Sequence, residues 1–176
     1  MADMHYRIAT GSKKIRTILT PIAALLFFTV VFLFILFSHW LDIWFKLPVI
    51  FLKPYNFIFS IPVLGAGLVL IIWCNFYFVK AKGTPVPLNP PPRLVNTGPY
   101  AFTRNPMLTG VFLVMFGIGI MMHSIFLIFI FTPVFIILNY VEIRYVEEPE
   151  LEKRLGTMYV EYKKKVPMFF PGIKTS

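Results

Sequence analysis

Three long stretches without a charged residue limit what this chain can fold into more than any other feature. They run from Thr17 to Trp40, from Asn56 to Val79 and from Asn105 to Val141, apart from the neutral His39 and His123. The core of the first, Ile18 to Phe37, rises roughly 30 Å as a helix, enough to cross a bilayer. The second matches it. The third would reach roughly 55 Å, too long for one crossing, and His123-Ser124 near its middle is a natural turn. It therefore reads as a hairpin of two spans, Pro106 to Met122 and Ile125 to about Tyr145. Composition agrees: 57% of the 176 residues are hydrophobic, 20 are Phe and only 14% are charged. A soluble domain of this size has too little interior to hide so much apolar surface.

The expected fold is all-α: a polytopic membrane protein with four transmembrane helices, a tight hairpin of helices three and four, and a C-terminal amphipathic helix at the interface. Residues 1–176 read as one membrane domain. Residues 1–82 supply an N-terminal pair of spans, and 83–176 supply a loop, the hairpin and the tail helix. Pro21 suits the first turn of span one. His39, Trp40 and Trp44 suit an aromatic belt at its far end. Gly65, Gly67, Gly110, Gly117 and Gly119 allow helices to approach closely, and Pro133 is expected to kink helix four. Asn75 suits either an interhelical hydrogen bond or a ligand contact. In the tail, Leu151, Leu155, Met158, Tyr159 and Tyr162 recur at helical spacing, and Lys163-Lys164-Lys165 suits an interfacial anchor.

The net charge of +9 comes from Lys and Arg flanking the apolar runs. That pattern fits anionic lipid, and no basic face with interleaved aromatics suggests nucleic acid. Lys and Arg gather in the N-terminus, the 80–104 loop and the tail, while the hairpin turn carries none. Both termini are therefore expected in the cytoplasm. The lone Cys74 lies in an apolar run and suits packing. His5, His39 and His123 lack metal-ligand spacing, so no metal is expected.

The chemistry concentrates at one edge. Residues 80–104 are too proline-rich for a helix and form a long loop of the kind that often carries function. Arg104 precedes span three, Glu147-Glu148 follow span four, and a tight hairpin brings those ends together. Arg144 lies one turn before Glu148, and Glu142 lies slightly deeper. Pairing of Arg144 with Glu148 at i,i+4 accounts for part of this pattern structurally. The loop, a helix N-terminus and the carboxylates together suit a polar ligand with anionic, hydroxyl and amine groups. S-adenosylmethionine and a nicotinamide nucleotide both qualify.

Leu94-Val95, Gly98-Pro99-Tyr100, Arg104-Asn105-Pro106-Met107 with Gly110, Glu147-Glu148 with Leu151, and then Gly156, Tyr159, Tyr162 and Val166-Pro167 follow one another in a specific order. In this the chain resembles the isoprenylcysteine carboxyl methyltransferase and phospholipid methyltransferase superfamily of integral membrane methyltransferases. The resemblance runs from about Gly83 to Pro171. The first two spans match only in being hydrophobic. It implies an S-adenosylmethionine site at the cytoplasmic interface and a lipid or isoprenylated acceptor. Carried over by position, Arg93, Leu94 and Val95 would line the cofactor and Tyr100 would pack against it. Asn105, Pro106, Met107 and Leu108 would hold its amino-acid end, and Glu147, with Glu148 beside it, would accept its hydrogen bonds. Arg144 stands one position from the expected substrate-contacting arginine.

Two positions depart from the family pattern: Asn105 stands where many members have His, and Leu108 where many have Tyr. Asn cannot titrate near neutral pH, so no general base is assigned there. A carboxylate acceptor calls for Arg104 or Arg144. An amine acceptor calls for Glu142 or Glu148 to take its proton. The catalytic candidates are thus Arg104, Arg144 and Glu148, with carboxyl O-methylation and amine N-methylation both open. A membrane reductase using a nicotinamide cofactor and a non-catalytic assembly protein are the competing classes. Oligomeric state is not legible.

Overall fold

The computed structural model describes residues 6, 7, 10–50, 52–84, 86 and 89–169. His5, Pro85 and Pro87 of the proline-rich loop, and Pro171 lie outside these. The described elements are helical: α1 (Lys13–Trp44), α2 (Tyr55–Lys80), α3 (Pro106–Met122), α4 (Leu127–Leu155) and α5 (Thr157–Lys165). A short 3₁₀ turn, Gly98–Ala101, precedes α3. α1, α2 and α4 are long and apolar enough to cross a membrane, and α3 is a shorter apolar helix. The chain is a polytopic all-α membrane protein.

α1 begins earlier than its apolar run. The Ser12 hydroxyl accepts from the Ile15 N–H and caps the helix at Lys13, so the basic residues form its first turns. Pro21 consequently lies inside α1 and not in its first turn. At the far end Phe37 stacks on Trp40, centroids 5.5 Å apart, and Trp40 meets Trp44 at 4.8 Å. These rings are half or more exposed, as an aromatic belt requires.

α2 and α3 pack most closely, and glycine makes the contact. A Cβ on Gly67 would lie 2.7 Å from the Gly110 carbonyl oxygen, and one on Gly117 would lie 2.6 Å from the Leu64 side chain. Lipid tails give helices no hydrophobic reason to associate, so such close backbone contact supplies the attraction. Gly119 serves the hairpin, facing Ile128. Gly65 does none of this: a Cβ there meets nothing within 4 Å. Its place on α2 points away from α3.

The hairpin turns where expected. His123 adopts the left-handed conformation (φ 57°) and ends α3. Asp42, near the end of α1, then accepts hydrogen bonds from the Ser124 hydroxyl and, at 3.1 Å, from the Phe126 N–H. Asn56 donates to the Met121 carbonyl at 3.1 Å. The hairpin tip is thus tied to both N-terminal spans. The core beneath it, Phe112, Met115, Leu127, Phe135 and Ile143, receives Phe27 and Phe34 from α1 and Met168 and Phe169 from the tail.

α4 continues past Tyr145, where the span was expected to end, and runs to Leu155. The single amphipathic tail helix expected after span four is therefore divided. Its first part extends the spanning helix, and its second, α5, restarts after Gly156 (φ 61°). α4 contains two π turns, Leu127–Phe131 and Ile143–Glu147. Each ends two positions before a proline. Pro133 and Pro149 have no N–H to donate, and their rings crowd the carbonyls of Phe129 and Tyr145. The residue before each proline bonds five back instead, Thr132 N–H to Leu127 and Glu148 N–H to Ile143. The irregularity expected at Pro133 takes this form.

Candidate functional site

The proline-rich loop is held by its own turns. Asn89 O accepts from both the N–H and the hydroxyl of Thr84, at 3.1 and 3.0 Å. Arg154, which pairs with Glu150 at 2.8 Å, also donates to the Pro91 carbonyl, fastening the loop to the end of α4. Gly98 has φ 61°, and a Cβ there would strike the Tyr77 ring at 2.3 Å. Only glycine permits this turn. It sends Tyr100 inward, edge-on to Phe78 at 5.4 Å.

The tail closes over this turn. Tyr162 donates its hydroxyl to the Tyr100 carbonyl at 2.6 Å. The Arg104 and Asn105 N–H groups donate to the Pro167 and Met168 carbonyls at 2.9 and 3.1 Å. The Asn105 side-chain amide and the Thr103 hydroxyl also donate to Met168 O. Burial raises the phenol pKa of Tyr100, Tyr159 and Tyr162 well above the ordinary value, so all three stay neutral donors.

Beneath lies a buried ion cluster. Glu148 is fully buried and faces Arg104 at 2.9 Å, Lys163 at 2.6 Å and Arg144 at 3.4 Å. Lys163 also reaches Glu152 at 2.9 Å. Arg104 donates additionally to the Lys163 carbonyl at 3.3 Å. The Arg144–Glu148 pair expected at i,i+4 is present as the longest of the three contacts to Glu148.

A cavity of about 790 Å³ opens between the loop, α1, α2, α3, α4 and α5. Among the expected cofactor residues, Arg93, Leu94, Val95, Tyr100, Asn105, Met107, Leu108 and Glu147 line it, as does Arg104. Pro106 does not: it is buried in the first turn of α3. Glu148 and Arg144 lie outside the lining, Glu148 at the centre of the ion cluster and Arg144 at its edge.

The lining also contains residues of α1, α2 and α4 beyond the expected cofactor set. Ala23, Ala24, Phe27 and Phe28 of α1 form an apolar wall. Asn139 and Asn75 face the cavity from α4 and α2, and each donates to the carbonyl four residues back in its own helix. Of the two roles expected for Asn75, the interhelical bond is absent, its amide bonding within α2 instead, and its place on the cavity lining leaves the ligand contact open. Spacing gave a partial signal for α4, since Asn139 and Glu142 are one turn apart. Nothing in the sequence marks the α1 wall, which depends on how α1 packs. Among the described residues no group of three or more His, Cys, Asp or Glu side chains could hold a metal ion.

The chain is 28% identical over 138 residues to the nickel-cobalt-cadmium resistance protein NccN of Alcaligenes xylosoxydans xylosoxydans. That match covers 77% of this chain but only 56% of the length of that protein. No solved structure matches this chain. The phospholipid methyltransferase family matches residues 55–158, from the start of α2 through the loop, the hairpin and the first turn of α5. This region carries most of the cavity, and by it the chain belongs to the phospholipid methyltransferase family of membrane proteins.

Proposed function

We propose that the protein transfers a methyl group from S-adenosylmethionine to the amine of a membrane-embedded lipid. One observation carries this reading: the cavity joins an apolar wall on α1 to two carboxylates on α4, Glu142 and Glu147, that enter none of the ion pairs among the described residues. Its volume falls in the range of small-molecule sites, about 300–1,000 Å³. The donor set suits the cofactor. Leu94, Val95 and Tyr100 offer surface for a flat ring, and Glu147 offers oxygens to hydroxyl and ammonium groups. When bound, the cofactor supplies an electrophilic methyl group on a positively charged sulfur.

The residues of the chain then orient and shield. Tyr100, Tyr159 and Tyr162 close the water side, and the α1 wall suits an acyl chain. Exclusion of water and alignment supply most of the acceleration in such a displacement. A carboxylate acceptor needs a cation facing it. Arg104 and Arg154 line the cavity but are paired with Glu148 and Glu150, and Arg144, outside the lining, also holds Glu148. Arg93 stands exposed in the loop. This balance favours an amine over an isoprenylated carboxylate. With the basic N-terminus and tail inside the cell, the cavity opens at the cytoplasmic interface.

Ligand-dependent melting of the purified protein tests the reading. A ligand that binds only the folded state stabilises it by about 2.7 kcal/mol at a hundred times its Kd. S-adenosylhomocysteine should raise the melting temperature and NADPH should not. The reverse pattern would make the protein a reductase, and no shift with either would make it non-catalytic.

A further inference from the structure

We infer that Glu142 is the acceptor-facing carboxylate of this site, the group that holds the substrate ammonium and takes its proton, and that Pro149 sets its register with Glu147. This rests on the amine-methyltransferase reading above.

Glu142 and Glu147 are five residues apart. In a regular α-helix such residues point about 140° apart, so one cavity could not receive both from one wall. Here the π turn Ile143–Glu147 lies between them, with the Glu148 N–H bonded to the Ile143 carbonyl. The wider turn brings positions five apart onto one face, and both carboxylates line the cavity. Pro149 makes the wide turn the favoured one, since a regular helix would set its ring against the Tyr145 carbonyl. Such turns are frequent at functional sites.

The two carboxylates then occupy different depths of one cavity. Glu147 is nearer along α4 to Arg154, whose side chain fastens the loop at Pro91. Glu142 is one turn from Asn139, on the same stretch of α4, and Asn139 and Asn75 are the other polar groups of the membrane half. Of the two carboxylates the sequence offered as proton acceptors, Glu148 is surrounded by Arg104, Lys163 and Arg144 outside the cavity. Glu142 is the one that a substrate can reach. A primary ammonium gives one proton to the Glu142 carboxylate, which frees the nitrogen lone pair. The N–C bond to the methyl group forms as the C–S bond breaks, and its electron pair stays on sulfur. The product is a methylated ammonium, and Glu142 later releases its proton to water.

Dodecylamine in zwitterionic nanodiscs is a suitable probe, with S-adenosylhomocysteine binding measured separately by calorimetry. Glu142→Gln should keep S-adenosylhomocysteine affinity within about twofold, weaken dodecylamine binding about tenfold and slow its methylation about a hundredfold or more. Glu147→Gln should weaken S-adenosylhomocysteine binding instead. Pro149→Ala should keep or raise the melting temperature yet weaken both ligands, which a merely structural proline would not do. A Glu142→Gln protein that binds and methylates dodecylamine like wild type overturns the assignment of Glu142. Unchanged affinities in Pro149→Ala overturn the register. Wild-type protein that binds S-adenosylhomocysteine but ignores dodecylamine overturns the amine reading and this inference with it. Wild-type protein that binds no S-adenosylhomocysteine overturns the methyltransferase reading itself.

Discussion

Arg104 Nη2 lies 2.9 Å from Glu148 Oε1, and the two side chains are 2% and 0% exposed. The pair joins the start of α3 to the end of α4, and Lys163 adds α5. An ion pair so far from water is a strong constraint on geometry and a poor source of net stability. Its value here is positional: it holds the cavity's loop edge and its tail against the hairpin.

Removing one side of this cluster should therefore cost more than the cluster contributes. Glu148→Ala leaves three cations without their shared anion and should destabilise by about 3–5 kcal/mol. Thermal melting in detergent would detect this as a large fall. A melting temperature within a degree or two of wild type would show that water already solvates the site.

The glycines of α2 offer an internal control. Gly67→Val forces a side chain against the Gly110 carbonyl and should separate α2 from α3. Gly65→Ala enters open space and should stabilise by about 0.5–1 kcal/mol through helix propensity. Opposite shifts in melting temperature are expected, and equal losses would refute the close-packing account.

Asp42 holds the far end of the hairpin through Ser124 and Phe126. Asp42→Ala should cost about 1–2 kcal/mol, as loss of a capping acceptor does. The cavity lies at the other end of the bundle, so S-adenosylhomocysteine affinity should not change. Calorimetry beside a melting curve separates the two effects.

Alkaline pH should loosen the tail. The phenols of Tyr100, Tyr159 and Tyr162 are pushed upward chiefly by burial. The folded state therefore retains protons that the unfolded chain gives up near pH 10. Stability tied to these groups is fully present below about pH 10 and declines as pH rises beyond it. Tyr162→Phe should flatten that decline while lowering stability at neutral pH by about 1–3 kcal/mol, because the Tyr100 carbonyl loses its partner. Melting temperatures between pH 8 and 11 would test both parts.

Hydropathy and helix length determined by themselves that the chain crosses a membrane as helices and that the third apolar run folds back on itself. α3 occupies the expected Pro106–Met122, since a bilayer's thickness and a proline at the first turn leave little freedom. The order of Tyr100, Asn105 and Glu147 likewise indicated that they meet, and they line one cavity, because a short hairpin must bring their elements together. Tertiary structure decided the rest. Glu148 and Arg144 look like equal neighbours of Glu147 in sequence, yet helix rotation places them in an ion cluster outside the cavity. The apolar wall on α1 depends on how α1 packs against α4, where Phe27 and Phe34 meet Phe135 and Phe131. Glu142 joins Glu147 only because a proline two residues beyond Glu147 widens one turn of α4. Periodicity assumes a regular helix, and the site is built where α4 departs from one.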